Sequence, residues 1–311
     1  MKICVLDGYA ANPGDISWDE MAKMGELTVY DRTKPEEIIP RCTGADAVLT
    51  NKCVIGADVM DALPSLKYIG VLATGYNVID VTAAGRRKIA VTNIPAYSTE
   101  SVAQLVFAFI LECASHVGAH ARAVRAGQWE RSADFCFWNE PLTEISGKKL
   151  GIIGMGAIGS RVAEIGRAFG MQVTGYSPSK CDKSVLEGII CDSDIISLNC
   201  PLKPDNAGMI NADAINRMKP GVWLINTARG GLIDEQAVCD ALASGKIAYF
   251  CADVVSREPL LGTNPLLKAP NVLLTPHIAW APYEARVRLM NTAVNNIRAF
   301  INGERLNRVD A

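Results

Sequence analysis

The feature that most limits how this chain can fold is Gly154-Met155-Gly156-Ala157-Ile158-Gly159. It is preceded by the apolar run Leu150-Gly151-Ile152-Ile153 and followed by a helical pattern over residues 157–169. A strand that turns through G-x-G-x-x-G into a helix opens a βαβ unit. Gly154 permits the tight turn, Gly156 lets a pyrophosphate approach the backbone, and Gly159 lets the helix pack closely on the sheet. The helix N-terminus then faces the anion. With 26 glycines in the chain, a bare match would arise by chance; the strand before and the helix after make it a dinucleotide-binding signal.

The second strand of such a unit ordinarily ends in an acid that holds the adenosine 2′-hydroxyl. Here residues 172–176 run into Ser177-Pro178-Ser179-Lys180, and Asp182 lies beyond the proline. A missing carboxylate removes repulsion toward a 2′-phosphate, and two hydroxyls with an ammonium can accept one. Both NAD and NADP therefore stay open, with the balance toward NADP.

Around this motif the chain alternates short β-rich runs with helical stretches. Strands are expected at 2–7, 45–51, 68–74, 89–94, 150–153, 172–176, 194–199, 222–227, 248–253 and 271–275. Helical patterns fill 35–42, 56–63, 78–88, 211–218, 234–244 and 282–302, with Thr33 as a cap for the first. Strands separated by helices imply parallel sheets. A longer pattern, 101–126, is apolar on more than one face at its start, so it belongs deep in a core or in a subunit interface. The irregular stretch 127–147 carries Phe135-Cys136-Phe137-Trp138, side chains that must pack on something. The result is two α/β blocks with a seam near residue 100.

Composition excludes several classes. Lys and Arg number 31 against 33 Asp and Glu, a net charge of −2, which argues against nucleic-acid binding by phosphate neutralisation. No charge-free run reaches the roughly 18–20 residues of a membrane span. The first apolar run ends at Asp7, so no signal peptide is expected. The ten cysteines form no C-x-x-C pair and read as reduced thiols of a cytoplasmic protein. His116 and His120 stand at i and i+4, but no third ligand accompanies them, and no metal site is expected.

Three C-terminal segments place polar residues just after expected strands, where ligands of open α/β sheets bind. They are Asn226-Thr227-Ala228-Arg229-Gly230-Gly231, Asp253 followed by Glu258, and Thr275-Pro276-His277-Ile278-Ala279-Trp280. Arginine offers a two-pronged donor to a carboxylate. Histidine exchanges protons near neutral pH, and a neighbouring carboxylate fixes its tautomer and favours its charged form. Singly, Arg229 also fits a surface arginine, Glu258 a solvated charge and His277 a structural histidine. Together, behind a nucleotide-binding turn, they form a set.

On these residues the chain resembles the D-isomer-specific 2-hydroxyacid dehydrogenase family along nearly its whole length. The match runs through Gly154–Gly159, Cys200-Pro201-Leu202, Asn226–Gly231, Asp253 to Glu258 and Pro276–Ala279. Val5–Gly8, Val71–Asn77 and Phe135–Trp138 are similar to the hydroxypyruvate reductase, or glycerate dehydrogenase, branch. The resemblance implies two doubly wound, Rossmann-like parallel-sheet domains. The NAD(P)-binding domain, residues 101–282, is inserted into a substrate domain made of 1–100 and 283–311, with the active site in the cleft. It implies a homodimer through the 101–126 helix and the following loop, from which an aromatic, here Trp138, reaches the partner's site.

The implied reaction is reduction of a small 2-oxo acid by NAD(P)H, and its reverse. His277 would donate the proton, Glu258 would support His277, and Arg229 would bind the substrate carboxylate. Backbone N–H groups of Thr74 and Gly75 would take the other carboxylate oxygen. Ala157 and Ile158 would face the pyrophosphate; Cys200, Pro201, Thr227 and Ala228 would line the nicotinamide ribose. Asp253 and Ala279 would stand by the nicotinamide. Two positions depart from the family pattern: Ser177 replaces the usual aspartate, and Asn206 replaces a common threonine. A dinucleotide-sensing binding protein on the same scaffold is the rival from another class. A 3-phosphoglycerate dehydrogenase-type activity would want a basic cluster, for which Lys52 is a lone candidate.

Overall fold

The computed structural model describes residues 1–310. They form two compact units: Met1–Ser98 together with the chain from Trp280 onward, and Thr99–Ala279. The first unit holds a parallel sheet of β1 (Lys2–Val5), β2 (Glu26–Val29), β3 (Ala47–Thr50), β4 (Tyr68–Val71) and β5 (Ala90–Thr92), in the order β2-β1-β3-β4-β5. The second holds β6 (Lys149–Ile153), β7 (Gln172–Tyr176), β8 (Ile195–Leu198), β9 (Val222–Asn226), β10 (Ile247–Ala252) and β11 (Val272–Leu274). Its order is β11-β10-β9-β8-β6-β7, again all parallel. In each sheet the order reverses beside the first strand, which creates a switch point there.

Side chains alternate along each buried strand, so each sheet carries a core on both faces. In the second unit Leu150, Ile152, Ile195, Trp223, Ile225 and Cys251 face the helices Thr99–Ser115 and Ala157–Ala168. Their neighbours Ile153, Ile196, Leu198, Leu224 and Phe250 face the helices on the other side. In the first unit the last helix, Tyr283–Ile301, lays Leu289, Met290, Ala293 and Ile297 against Ile3, Val5, Leu49 and Tyr68. The tail then covers the edge of β5: Val309 N donates to Val91 O at 2.9 Å and Asn93 N to Asn307 O at 3.2 Å.

Four expectations need correction. The strand β2 was not foreseen, because Glu26 and Thr28 interrupt its apolar pattern at a sheet edge. The helix Lys183–Asp192 was likewise missed. Thr33 does not cap; its hydroxyl donates to Leu6 O, while Glu37 Oε2 accepts from Lys34 N at 2.9 Å. The expected 101–126 helix is two helices, Thr99–Ser115 and Val117–Arg125, broken at His116, whose φ of +49° is left-handed. The apolar start of the first of these is consumed inside its own unit: Val102, Val106, Phe109 and Ile110 are buried. Among the described residues no single helix is long and apolar enough to cross a membrane.

Candidate active site

The glycine turn, Ser177, Cys200, Thr227, Ala228, Arg229, Asp253, Glu258, His277 and Ala279 lie at or just beyond the carboxyl ends of strands of the second unit. After β6, Gly154 adopts φ +107°, a conformation open to glycine, and its N–H donates to Tyr176 O at 2.8 Å. A Cβ on Gly159 would sit 1.9 Å from Gly154 O, so only hydrogen fits where the helix Ala157–Ala168 crosses the turn. A Cβ on Gly156 would meet nothing within 4 Å. Gly156 caps this twelve-residue helix without any side-chain acceptor, and Gly156 and Ala157 are exposed, with Ile158 partly so. The first N–H groups of the helix thus open onto empty space where an anion fits.

Two orphaned polar atoms stand at the ends of the next two strands in the sheet. Thr227 Oγ1, after β9, and Asn199 Oδ1, after β8, are buried and find no partner among the described residues. Buried polar atoms are ordinarily paired. An uncapped helix start and two unpaired oxygens at adjacent strand ends suit a group with many hydroxyls and phosphates, as a nicotinamide dinucleotide has.

The acid–base set is built by two buried anchors. Asn226, the last residue of β9, is fully buried; its Oδ1 accepts from Ala228 N at 3.1 Å and its Nδ2 donates to Arg229 O at 2.9 Å. That fixes the turn carrying Arg229, whose guanidinium is exposed and has no carboxylate partner among the described residues. Asp253, after β10, is 1% exposed. Its Oδ1 accepts from Thr275 Oγ1 at 2.6 Å and Ile278 N at 2.8 Å, and its Oδ2 from Ala279 N at 2.8 Å. His277 N donates to Asp253 O at 2.8 Å. These bonds hold His277 at φ +54°, a strained conformation for a residue with a side chain. His277 Nδ1 then donates to Glu258 Oε2 at 2.7 Å. Nε2 makes no hydrogen bond among the described residues.

The remaining predicted residues fall as follows. Asn206 is spent inside its loop, accepting from Lys203 N at 2.7 Å and donating to Pro201 O at 2.9 Å. Burial pushes the neighbouring Cys200 thiol up, so it stays neutral. Ser177 ends β7 with its hydroxyl 3.3 Å from that of Ser179. In the first unit Thr74 Oγ1 donates to Ile94 O at 2.8 Å and Asn93 Nδ2 to Thr74 O at 2.8 Å, fixing the turn that bears the Thr74 and Gly75 N–H groups. Trp138 is 65% exposed. Sequence reasoning gave no role to Asn199, Asn226 or Thr275; a polar residue closing an apolar strand was the signal available.

Residues 107–279 match the model of the D-isomer specific 2-hydroxyacid dehydrogenase, NAD binding domain. This chain belongs to that family. A hydroxypyruvate reductase of Blautia hydrogenotrophica is 47% identical over 321 residues, covering 100% of both chains. A glycerate dehydrogenase of Methylorubrum extorquens is 41% identical over 92% of each. An acyclic imino acid reductase, solved in complex with NADPH and D-Arg, superimposes with a TM-score of 0.86 at 31% identity, over 99% of this chain and 100% of that one. The dehydrogenase is an NAD(P)-dependent oxidoreductase that reduces 2-oxo acids to D-2-hydroxy acids, in the hydroxypyruvate reductase and glycerate dehydrogenase branch.

Proposed function

We propose that this dehydrogenase reduces hydroxypyruvate and glyoxylate, with His277 as the general acid. The observation that carries the reading is the 2.7 Å bond from His277 Nδ1 to Glu258 Oε2, which leaves Nε2 as the ring atom that can give a proton. Bound NAD(P)H supplies a hydride to the carbonyl carbon. His277, oriented by its bond to Glu258, gives its Nε2 proton to the carbonyl oxygen as negative charge develops there. Arg229 grips the substrate carboxylate with two donors and stabilises the same charge. Thr74 and Gly75 offer backbone N–H groups to the other carboxylate oxygen. Ala157 and Ile158 N–H groups hold the pyrophosphate, the Thr227 hydroxyl with Cys200, Pro201 and Ala228 lines the ribose, and Asp253 and Ala279 stand at the nicotinamide end.

At the adenosine end Ser177, Ser179 and Lys180 favour a 2′-phosphate, and hence NADP. The relative bound to NADPH is in keeping with that. The partner is a second copy of the chain: Phe135 is 89% exposed, and Val117, Trp138 and Leu142 are exposed near it in sequence, more apolar surface than one surface loop ordinarily leaves in water. Trp138 then belongs to the partner's site as much as to its own protomer's.

A panel of hydroxypyruvate, glyoxylate, pyruvate and 3-phosphohydroxypyruvate against NADH and NADPH tests the reading. The first two should be reduced with the highest kcat/KM, faster with NADPH. Preference for the phosphorylated acid would overturn the substrate assignment. Ser177→Asp should swing the cofactor ratio toward NADH, and an unchanged ratio would remove Ser177 from the 2′ position. Sedimentation as a monomer at micromolar concentration would remove the dimer.

A further inference from the structure

The loop that carries Glu258 runs from the end of β10 to the short turn at Pro265–Leu267 without regular structure of its own. Glu258 is exposed, and its Oε1 accepts a long 3.3 Å bond from Val255 N. An exposed residue on an irregular loop meets His277 reproducibly when that loop is fixed at its ends.

Glu235 supplies that fixation. It opens the helix Glu235–Ala243, but Asp234 already caps this helix, accepting from Gln236 N at 3.0 Å and Ala237 N at 3.1 Å. The Glu235 carboxylate is therefore free to reach away from its helix. Oε1 accepts from Ser256 N at 2.7 Å and Oε2 from Asn264 Nδ2 at 2.9 Å. Ser256 and Asn264 bracket Glu258 on both sides. One carboxylate thus ties the two ends of the catalytic loop together, removing most of its freedom. Gly230 seals the same junction: a Cβ there would lie 1.9 Å from the Val255 carbonyl carbon, so the turn after Arg229 rests on the loop backbone.

The position asks for a carboxylate. Ser256 offers an N–H, and Asn264 presents its NH2 because its Oδ1 already accepts from Leu266 N at 2.9 Å. Both facing atoms are donors, and only an ionised carboxylate presents acceptors on both prongs. We infer that Glu235 is a positioning residue for the reduction: by clasping Ser256 and Asn264 it holds Glu258 against His277 and so fixes the imidazole for proton delivery. This rests on the assignment of Glu258 and His277 proposed above.

The test is steady-state 2-oxo acid reduction in Glu235→Ala, Glu235→Gln, Glu258→Gln and the double variant Glu235→Ala/Glu258→Gln. In Glu235→Ala, kcat should fall about tenfold to a hundredfold, as for a catalytic group displaced by about 1 Å, while KM for the reduced cofactor stays put. Glu235→Gln, which keeps one acceptor, should fall between Glu235→Ala and the unaltered enzyme. If Glu235 acts through Glu258, adding Glu235→Ala to Glu258→Gln should cost less than about twofold more. Losses that multiply in the double variant, or a kcat unchanged in Glu235→Ala, would overturn the role of Glu235 alone. A kcat unchanged in Glu258→Gln would overturn the Glu258–His277 assignment and this inference with it.

Discussion

The two units share a strand order and differ in what fills the switch point. In the second unit β6 ends in a glycine turn, the helix behind it has twelve residues, and no side chain among the described residues caps its first N–H groups. In the first unit β1 ends at Asp7, and the helix that follows, Gly8–Ala11, is one turn long. Asp7 folds its carboxylate over the end of β3, accepting from Asn51 N at 2.7 Å, Lys52 N at 2.6 Å and Cys53 N at 3.2 Å. The same topology thus yields an open anion site in one unit and a site closed by the chain's own anion in the other. Topology decides where a pocket lies; the two or three residues after the first strand decide whether it is available.

The comparison is most exposed to substitution where chemistry depends on it. His277→Gln, in the open unit, should lower 2-oxo acid reduction about 10²–10⁴-fold, as loss of a general acid does, with cofactor affinity by fluorescence titration unchanged. Turnover near that of the unaltered enzyme would place the acid elsewhere.

Gly156→Ala puts a methyl into the open space without touching protein. Loss of one charge-assisted bond to the pyrophosphate costs about 1.5–3 kcal/mol, so NAD(P)H affinity should drop about tenfold or more with the melting temperature unmoved. A cofactor bound as tightly as before would mean that Gly156 does not face it. In the closed unit Asp7→Ala should do the reverse. It strips Asn51 N and Lys52 N of their acceptor, while Cys53 N keeps Thr50 Oγ1 at 2.8 Å, and should lower stability by about 1–3 kcal/mol in denaturant unfolding, leaving cofactor affinity alone.

The smallest effect separates the units by pH. In the first unit the Arg286 guanidinium, bonded to both Asp15 oxygens at 2.6 Å, holds Asp15 below the usual carboxylate value. A depressed native pKa adds stability above the unfolded value of about 3.9, and that stability is lost as pH falls through the native one. Unfolding followed from pH 6 to pH 2.5 should therefore show a shallower acid loss in Asp15→Asn than in the unaltered chain. Equal slopes would mean that the pair contributes nothing measurable.

Much of this was legible beforehand, for identifiable reasons. Strands buried on both faces write themselves as continuous apolar runs, so β1, β3, β4, β5, β6, β8 and β9 were read close to their places, while the less buried β7, β10 and β11 were read from the alternation of strand and helix. The edge strand β2, half exposed, has no such signature. The glycine turn was legible because it is local: six consecutive residues and their flanks carry the whole constraint. Arg229, Glu258 and His277 could be named because each follows a strand. The break at His116 could not be read, since the apolar pattern continues across it and only the left-handed backbone interrupts the helix.

Sequence by itself determined the two α/β blocks and the dinucleotide turn, and marked Arg229, Glu258 and His277 as the acid–base candidates. All of these are set by neighbours within a few positions along the chain. Tertiary structure alone decided which oxygen meets which donor. Asp253 became the clamp on the His277 loop, Asn226 the anchor of the Arg229 turn, and Glu235 the clasp of the Glu258 loop. Each of these bonds joins segments separated in the chain and converging at the ends of parallel strands, and no local pattern records a distance that only the closed sheet creates.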